Sequence, residues 1–521
     1  MVVNRPRVLL GFMFLCVLVM TLLPAGQPGS PRPWPATLLA APAPGGQLVV
    51  GEPTPPDTFD PIAHSNFNNW YMWQLVYETL VVEQPDGRIA PMLAASWTVS
   101  ADELTYTFRL RSGVRFHNGS PLTADDVVAS FERLSAKGIP YAKERFPNLT
   151  SVRASDPGTV VLQLRRKDSS FLSNLGDPFV VGGAILNRRA ADATDPATRM
   201  IGTGPLRMVS YTPGTELVLE RNGEYWGTPP RVDRLVIRYI KEAQSAVAAL
   251  LAGDVSMIFP TPETFIALRN NSRVRVVSVP TASTWQINMG SVKPPLSVTD
   301  VRRAIALSID REAVVKLALL GEGTPTGPFP PGHPWAVPLS QQPYYKRDIA
   351  RAKELLRKAG YPNGLDLTFM FPTGLGNSET FRRITEVLQS QFAEAGIRVR
   401  IEALETSVWL DRLVKANYDL TMTSPPYFSD PRLYVIPRAG RQGPTPPELQ
   451  WALDRAAEAP AEQLLAIYRQ IQLIEAELAY PFTGVVAENK WIAYRPDLID
   501  GVKIDYTMTR RLYFETRRAG R

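Results

Sequence analysis

Cysteine is almost absent from this chain of 521 residues: the one instance, Cys16, lies in an apolar N-terminal stretch. The remainder therefore offers no intrachain disulfide, no thiol nucleophile and no thiolate metal ligand. Histidine is nearly as scarce, and His64, His117 and His333 stand far apart. That spacing excludes an HExxH zinc pair, and no CxxC, GxxxxGK or GxSxG motif occurs. A hydrolase built on carboxylates alone is the enzyme alternative that these absences leave. Long apolar runs are missing too, except for "VLLGFMFLCVLVMTLL" at Val8 to Leu23. What is abundant is proline, 48 residues beside 35 glycines, in a chain that is 45% hydrophobic and 21% charged. This is ordinary globular composition with many turn-rich connections, and it is too long for one compact core.

The apolar run follows Arg5 and Arg7 and precedes Ala25. It is shorter than the ~20 apolar residues of a spanning helix, so residues 1–25 are expected to be an export signal rather than an anchor. A lipidated Cys16 is disfavoured by the large side chains of Met13, Phe14 and Leu15 before it. Seven prolines between Pro24 and Pro44 make residues 26–44 an extended tether. The net charge is +7, and the last twelve residues, "RRLYFETRRAGR", carry five arginines against one glutamate. On an exported protein such a tail reads as a solvated terminus, and nucleic acid is not an expected partner.

The stretch "TYTFRLRSGVRFHNGSPLTADDVVASFERL" changes period three times. Tyr106, Phe108 and Leu110 alternate with polar residues as in a half-buried strand, and Val114 and Phe116 resume that alternation after Ser112-Gly113. Asn118-Gly119 supplies a tight turn. From Thr123 the period is helical, with Val127, Phe131 and Leu134 on one face. Asp125 and Asp126 fall in the first helical turn, three residues after a capping threonine at the latter, so capping accounts for both acids and catalysis is not needed. His117 reads as a turn residue. Farther on, Ala246, Val247, Leu250 and Leu251 line a helix stopped by Gly253. Ser297 with Asp300 opens another helix, and Asp310 with Gly321 frames a third. Between 365 and 423, "LDLTFMF", a helix with Phe381, Ile384, Leu388 and Phe392 inward, "IRVRIEA", a helix around Trp409 and "YDLTMT" alternate. Strand, helix, strand with short loops predicts a parallel sheet.

Seven stretches in this order resemble the family 5 extracellular solute-binding proteins of ABC importers, a group of oligopeptide-, dipeptide- and nickel-binding proteins. They are "TFDP", "YETL", "PMLAASWTVSADELTYTFRLRSGVRFHNGSPLTADDVVASFERL", "GTGPLRMVSYTPGTELVLERNGEYWG", "VRRAIALSIDREAVV", "ARAKELLRKAGYPNGLDLTF" and "YDLTMT". The resemblance implies an α/β, two-lobed, class II periplasmic-binding-protein-like fold with an extra domain, its mixed sheets flanked by helices, and a hinge near residues 285 and 485. Domain I would comprise 45–70, 196–285 and 486–521, domain II 71–195, and domain III 286–485. It implies a monomeric, membrane-associated, periplasmic or extracellular subunit that captures a peptide or peptide-like solute by hinge closure and delivers it to membrane permease subunits, without cofactor or catalysis. An oligosaccharide binder of the same fold is the alternative; a nickel-complex binder is a further one, with His64 as a lone histidine more simply placed at a surface.

Peptide-binding members hold the ligand's α-amino group with an acid four residues before the proline of an Asp-Pro or Glu-Pro pair. Here the pair is Asp430-Pro431, and the fourth residue back is Tyr427. A phenol does not supply the full negative charge that a desolvated ammonium group requires. Asp430 is either the substitute or a turn residue. Tyr71, Trp73, Trp285, Phe371, Tyr427 and Phe428 are the rings that the fold would bring near the cleft, with Asn288 as a polar orienting group; core packing is the competing reading for each.

Overall fold

The computed structural model describes residues 46–521 apart from 57, 63–69, 85–87, 137–145, 177–182, 194–197, 330, 332–334, 376, 425–442, 481, 503–516 and 519–521. The chain begins with β1 (Gln47–Glu52), α1 (Trp70–Val76), the hairpin β2 (Val81–Glu83) and β3 (Ile89–Pro91), and then β4 (Ala94–Val99) and β5 (Thr105–Leu110). It continues through α2 (Ala124–Ala136), β6 (Leu149–Asp156), β7 (Thr159–Leu164), α3 (Phe171–Leu175) and α4 (Arg188–Ala193). Next come β8 (Leu206–Thr212), β9 (Glu216–Arg221), β10 (Arg234–Tyr239), α5 (Ala243–Ala252), β11 (Met257–Ile258) and α6 (Pro262–Leu268). The long strand β12 (Arg275–Met289) leads into α7 (Thr299–Leu307), α8 (Arg311–Ala318), β13 (Gly323–Pro325) and α9 (Ile349–Lys358). After these follow β14 (Leu365–Thr373), α10 (Ser378–Glu394), β15 (Ile397–Glu405), α11 (Thr406–Val414), β16 (Leu420–Thr423), α12 (Pro447–Glu458) and α13 (Ala461–Leu478). A second long strand, β17 (Phe482–Tyr494), returns the chain to the first half of the molecule, where β18 (Ile499–Asp500) pairs with β19 (Arg517–Arg518).

One mixed sheet runs β15-β14-β16-β12-β17-β11-β1-β10-β9-β8, with β13 also on β17, and a separate antiparallel sheet runs β4-β5-β7-β6. β12 and β17 are antiparallel from Arg275↔Tyr494 to Asn288↔Phe482, with irregular register between Pro280 and Thr284 and between Trp285 and Gln286. Where they cross, the packing partners change. Val277 and Ile492 belong to a hydrophobic core shared with β1, β8 to β10 and the four-stranded sheet. Trp285 and Val486 belong to another, built on β14 to β16 with α7, α8 and α10. Phe482 joins a third cluster with α12 and α13.

Local chemistry explains most elements. α10 buries Phe381, Ile384, Leu388 and Phe392 at helical spacing. The Asp310 side chain accepts from the Ala313 backbone N–H and caps α8. α5 ends where Gly253 takes φ 87°. β14 pairs in parallel with both β15 and β16, as the alternating pattern predicts. Asp126 accepts from the Thr123 N–H at 2.9 Å and its hydroxyl at 2.8 Å, and its other oxygen accepts from the Arg188 N–H at 3.0 Å. Asp125 is exposed and faces Arg188 at 3.9 Å. Two local expectations differ. Val298, not Ser297, is the N-cap of α7, and no side chain caps it. Val114 and Phe116 are both 2% exposed but form no strand; Arg115 makes one isolated bridge to Pro121. Burial there is supplied by turns rather than by a ladder.

The first half is knitted by a buried carboxylate. Glu78, 1% exposed, accepts from the Thr203 hydroxyl at 3.0 Å, the Tyr225 hydroxyl at 2.8 Å and the Trp226 indole N–H at 2.7 Å. The Arg111 guanidinium lies 4.7 Å from the centre of the Trp226 ring. Glycine is required beside Glu78. A Cβ on Gly202 would stand 1.9 Å from the Val76 carbonyl oxygen, and one on Gly204 would stand 2.6 Å from that of Leu75. His117 ties down the same loop: its Nε2 donates to the Gly204 carbonyl at 2.9 Å, while its Nδ1 accepts from the Gly202 N–H at 3.4 Å. Acceptance at Nδ1 needs the neutral imidazole, and burial pushes its pKa down from 6.5 to about 4.

Two outcomes are expected. Glu78→Ala leaves three donors without their acceptor and lowers unfolding stability by roughly 3 kcal/mol or more, read from denaturant midpoints. Unfolded chain takes up a proton at His117 near pH 6.5, whereas folded chain does not until about pH 4. Stability from this group is therefore complete above about pH 6.5 and is lost as pH falls toward 4, at about 1.4 kcal/mol per unit. In His117→Gln the stability profile across that window should flatten.

Candidate functional site

The direction of the strands locates the site. In the second half, β16 runs from Leu420 opposite Met289 to Thr423 opposite Gln286, so its carboxyl end points toward the crossing of β12 and β17. β14 and β15 are parallel to it and end on the same edge at Thr373 and Glu405. In the first half, β11 runs from Met257 opposite Tyr494 to Ile258 opposite Ala493, again toward the crossing. β1 is parallel to β11 and β10 is parallel to β1, so Glu52 and Tyr239 close the same edge. Carboxyl edges of parallel strands from both halves thus meet at one place, where strands give way to loops and helix starts. Such edges are where open α/β sheets bind ligands.

The side chains at this edge are polar. On β12, Trp285, Ile287 and Met289 face the hydrophobic core, which leaves Gln286 and Asn288 on the opposite face beside Thr421 and Thr423 of β16. Asn288 Nδ2 donates to Thr423 Oγ1 at 2.7 Å, and Gln286 Nε2 reaches the same oxygen at 3.5 Å. Gln286 Oε1 is buried without a hydrogen-bond partner among the described residues. Trp409, part-exposed in the first turns of α11, donates its indole N–H to Thr421 Oγ1 at 2.9 Å, and that hydroxyl donates to the Met370 carbonyl at 3.0 Å. This relay fixes the plane of a large ring at the edge. In the first half, Tyr239 Oη is buried without a hydrogen-bond partner among the described residues, and burial raises the phenol pKa, with Tyr211 and Glu52 adding to it. Tyr211 stacks edge-on between Tyr239 and Phe59, at 6.3 and 4.7 Å.

The residues expected from sequence divide into three groups. Asn288 lies in the polar row, 1% exposed. Trp73, Trp285 and Phe371 are packed inside: Trp73 is in the first core, while Trp285 stands edge-on to Phe381 at 4.6 Å and shares the second core with Phe371. Period-two alternation on β12 turns Trp285 to the face opposite Gln286 and Asn288, and the bulk of its ring fills the space against α10. The side chain of Tyr71, in α1, lies outside the described residues, as do Tyr427, Phe428, Asp430 and His64. Gln286, Trp409, Thr421 and Thr423 were not singled out by sequence. The signal was present for the threonines, since "LTMT" alternates them with Leu420 and Met422.

Removing the indole leaves a cavity beside Phe381. Trp285→Ala should therefore lower unfolding stability by about 3 to 5 kcal/mol, measured by denaturant titration. A stability equal to wild type would place the ring outside the core.

No group of histidine, cysteine, aspartate and glutamate that could hold a metal ion is found among the described residues, and none of their helices is long and apolar enough to cross a membrane. Residues 88–440 match the family model of bacterial extracellular solute-binding proteins, family 5. Similar proteins include the probable D,D-dipeptide-binding periplasmic protein DdpA of Escherichia coli, 30% identical over 407 residues that cover 76% of this chain and 78% of that protein. Heme-binding protein A of Haemophilus influenzae is 31% identical over 375 residues, covering 66% and 67%. Among solved structures, the periplasmic binding protein DppA of Helicobacter pylori with peptide STSA superposes with a TM-score of 0.80 at 24% identity, over 91% of this chain and 98% of that one. The fold is thus that of the two-lobed periplasmic binding proteins, its lobes joined by β12 and β17. With two carboxyl edges facing one crossing and the family model spanning both, this chain belongs to the bacterial extracellular solute-binding proteins of family 5.

Proposed function

We infer that the protein captures a peptide or peptide-like solute between its lobes outside the cytoplasm and passes it to the permease subunits of an ABC importer, with no chemistry on the solute. Relatives of near-equal identity carry dipeptide and heme in their names, so identity alone does not choose the cargo. The observation that carries the peptide reading is the polar row at the cleft edge: amide and hydroxyl groups of Gln286, Asn288, Thr421 and Thr423, with Trp409 beside them. Amide and hydroxyl groups match the alternating donors and acceptors of a peptide main chain, and Gln286 Oε1 is an acceptor without a partner among the described residues. The oligosaccharide reading loses support, because three of its stacking rings, Trp73, Trp285 and Phe371, are occupied in core packing. The domain division at residues 71, 196, 286 and 486, export by residues 1–25 and contacts from Tyr71, Tyr427, Phe428 and Asp430 are parts of the same proposal.

Opening and closing needs no catalytic group: the solute shifts the population through the contacts it makes better in the closed form. Native mass spectrometry of the exported protein should release a peptide on denaturation; recovery of heme or oligosaccharide alone would sink this reading. If Asp430 faces the solute's ammonium group, Asp430→Asn should weaken a peptide with a free amino terminus about tenfold or more, and its N-acetylated form far less, in calorimetric titration. Equal loss for both peptides would make Asp430 a turn residue.

A further inference from the structure

Two contacts join parts of the molecule that belong to different cores, and neither involves a solute. The first is an ion pair between Glu263 in α6 and Arg383 in α10. α6 follows the carboxyl end of β11 and is fixed to the first lobe by Leu268, in the core with β11, and by Phe265, stacked on Trp491 at 5.0 Å. α10 follows β14 and is fixed to the second lobe by Phe381 and Ile384. The Arg383 side chain is 15% exposed and that of Glu263 39% exposed. Burial pulls the Arg383 guanidinium down, and its Nε and Nη2 have no partner among the described residues. Glu263 is thus the anion that compensates a largely desolvated cation.

The second contact lies elsewhere in the interface. The Ser169 backbone N–H donates to the Ala457 carbonyl at 3.0 Å, and its hydroxyl donates to the Ala456 carbonyl at 2.7 Å. Ser169 precedes α3, whose Phe171 and Leu175 sit in the first core, while Leu449, Leu453 and Ala456 of α12 sit in the third. The last carbonyls of a helix have no partner within it. One lobe therefore caps a helix end that belongs to the other.

We propose that Glu263–Arg383 and the Ser169 cap on α12 form a two-point clasp that holds the lobes together independently of cargo, so that the closed form is populated before solute arrives. The proposal rests on the two-lobed, hinge-closing reading and concerns how that site is regulated. With the competent form already populated, less of the solute's binding energy goes into closure, and apparent affinity rises accordingly. Conversely, loosening the clasp opens the free protein and weakens every cargo by the same factor.

The test needs no cargo. Spin labels are placed on the full chain at Lys241→Cys and Lys415→Cys, both exposed and on opposite lobes, with Cys16→Ser to keep the labels unique. The protein is unfolded and refolded to strip bound solute, and the inter-label distance distribution is read by pulsed dipolar spectroscopy. Wild type should show a dominant short distance. Arg383→Gln and Glu263→Gln should each lower the closed-to-open ratio about fivefold, and the exchanged pair E263R/R383E should restore it. Ser169→Ala, which leaves the ion pair intact, should shift the ratio in the same direction, and it serves if an arginine variant fails to fold by circular dichroism. A single long distance in wild type, or unchanged distributions in Ser169→Ala and the folded charge variants, would overturn the clasp. A refolded protein that shows the clasp yet binds no peptide would overturn only the peptide reading.

Discussion

The pairing of β12 with β17 is the constraint on which the rest depends. These two strands carry the chain between the lobes, and their ladder runs from Arg275↔Tyr494 to Asn288↔Phe482. Because each strand feeds one core at one end and another core at the other, the ladder fixes where the carboxyl edges of both lobes meet. The register irregularities at 280–286 fall in the stretch where the packing partners change. A bulge interrupts the hydrogen-bond ladder and lets the strand bend there. The same geometry that positions the site thus marks where the chain crosses from one lobe to the other.

Within the first lobe, order is imposed by buried polar groups rather than by apolar contact alone. The motifs "YETL", "RFHNG", "GTGPL" and "NGEYWG" converge on Glu78 and His117. Apolar packing tolerates small shifts, whereas a carboxylate with three fixed donors and a neutral imidazole with one donor and one acceptor do not. Across the cleft, Ser169 and Arg383 extend the same logic, since a capped helix end and a compensated cation are each complete only when both lobes contribute.

Local signals were legible where a single element settles the outcome. Phe381, Ile384, Leu388 and Phe392 gave the inward face of α10, Asp310 the start of α8, and Asp126 the cap that made catalysis unnecessary at the paired acids. They failed where burial arises from distant chain. Val114 and Phe116 alternate like a strand yet are buried by turns, and Trp285 looked like a cleft ring because its position along β12 was legible while its facing side was not. Glu78 gave only a weak sign, an acid amid apolar neighbours; its partners are 125 to 148 residues away.

The class of protein came from the resemblance carried by seven ordered motifs, whereas composition and periodicity by themselves gave a chain nearly free of cysteine, with helices and strands in parallel alternation. Those properties follow from local steric and hydrophobic preferences, which a sequence displays directly. Only the tertiary structure decided that Trp285 is core and Trp409 edge, that Gln286 and Asn288 share a face with Thr423, and that Glu263 meets Arg383. Each of these joins residues on different elements, and the energy of such a contact exists only once tertiary packing has brought them together.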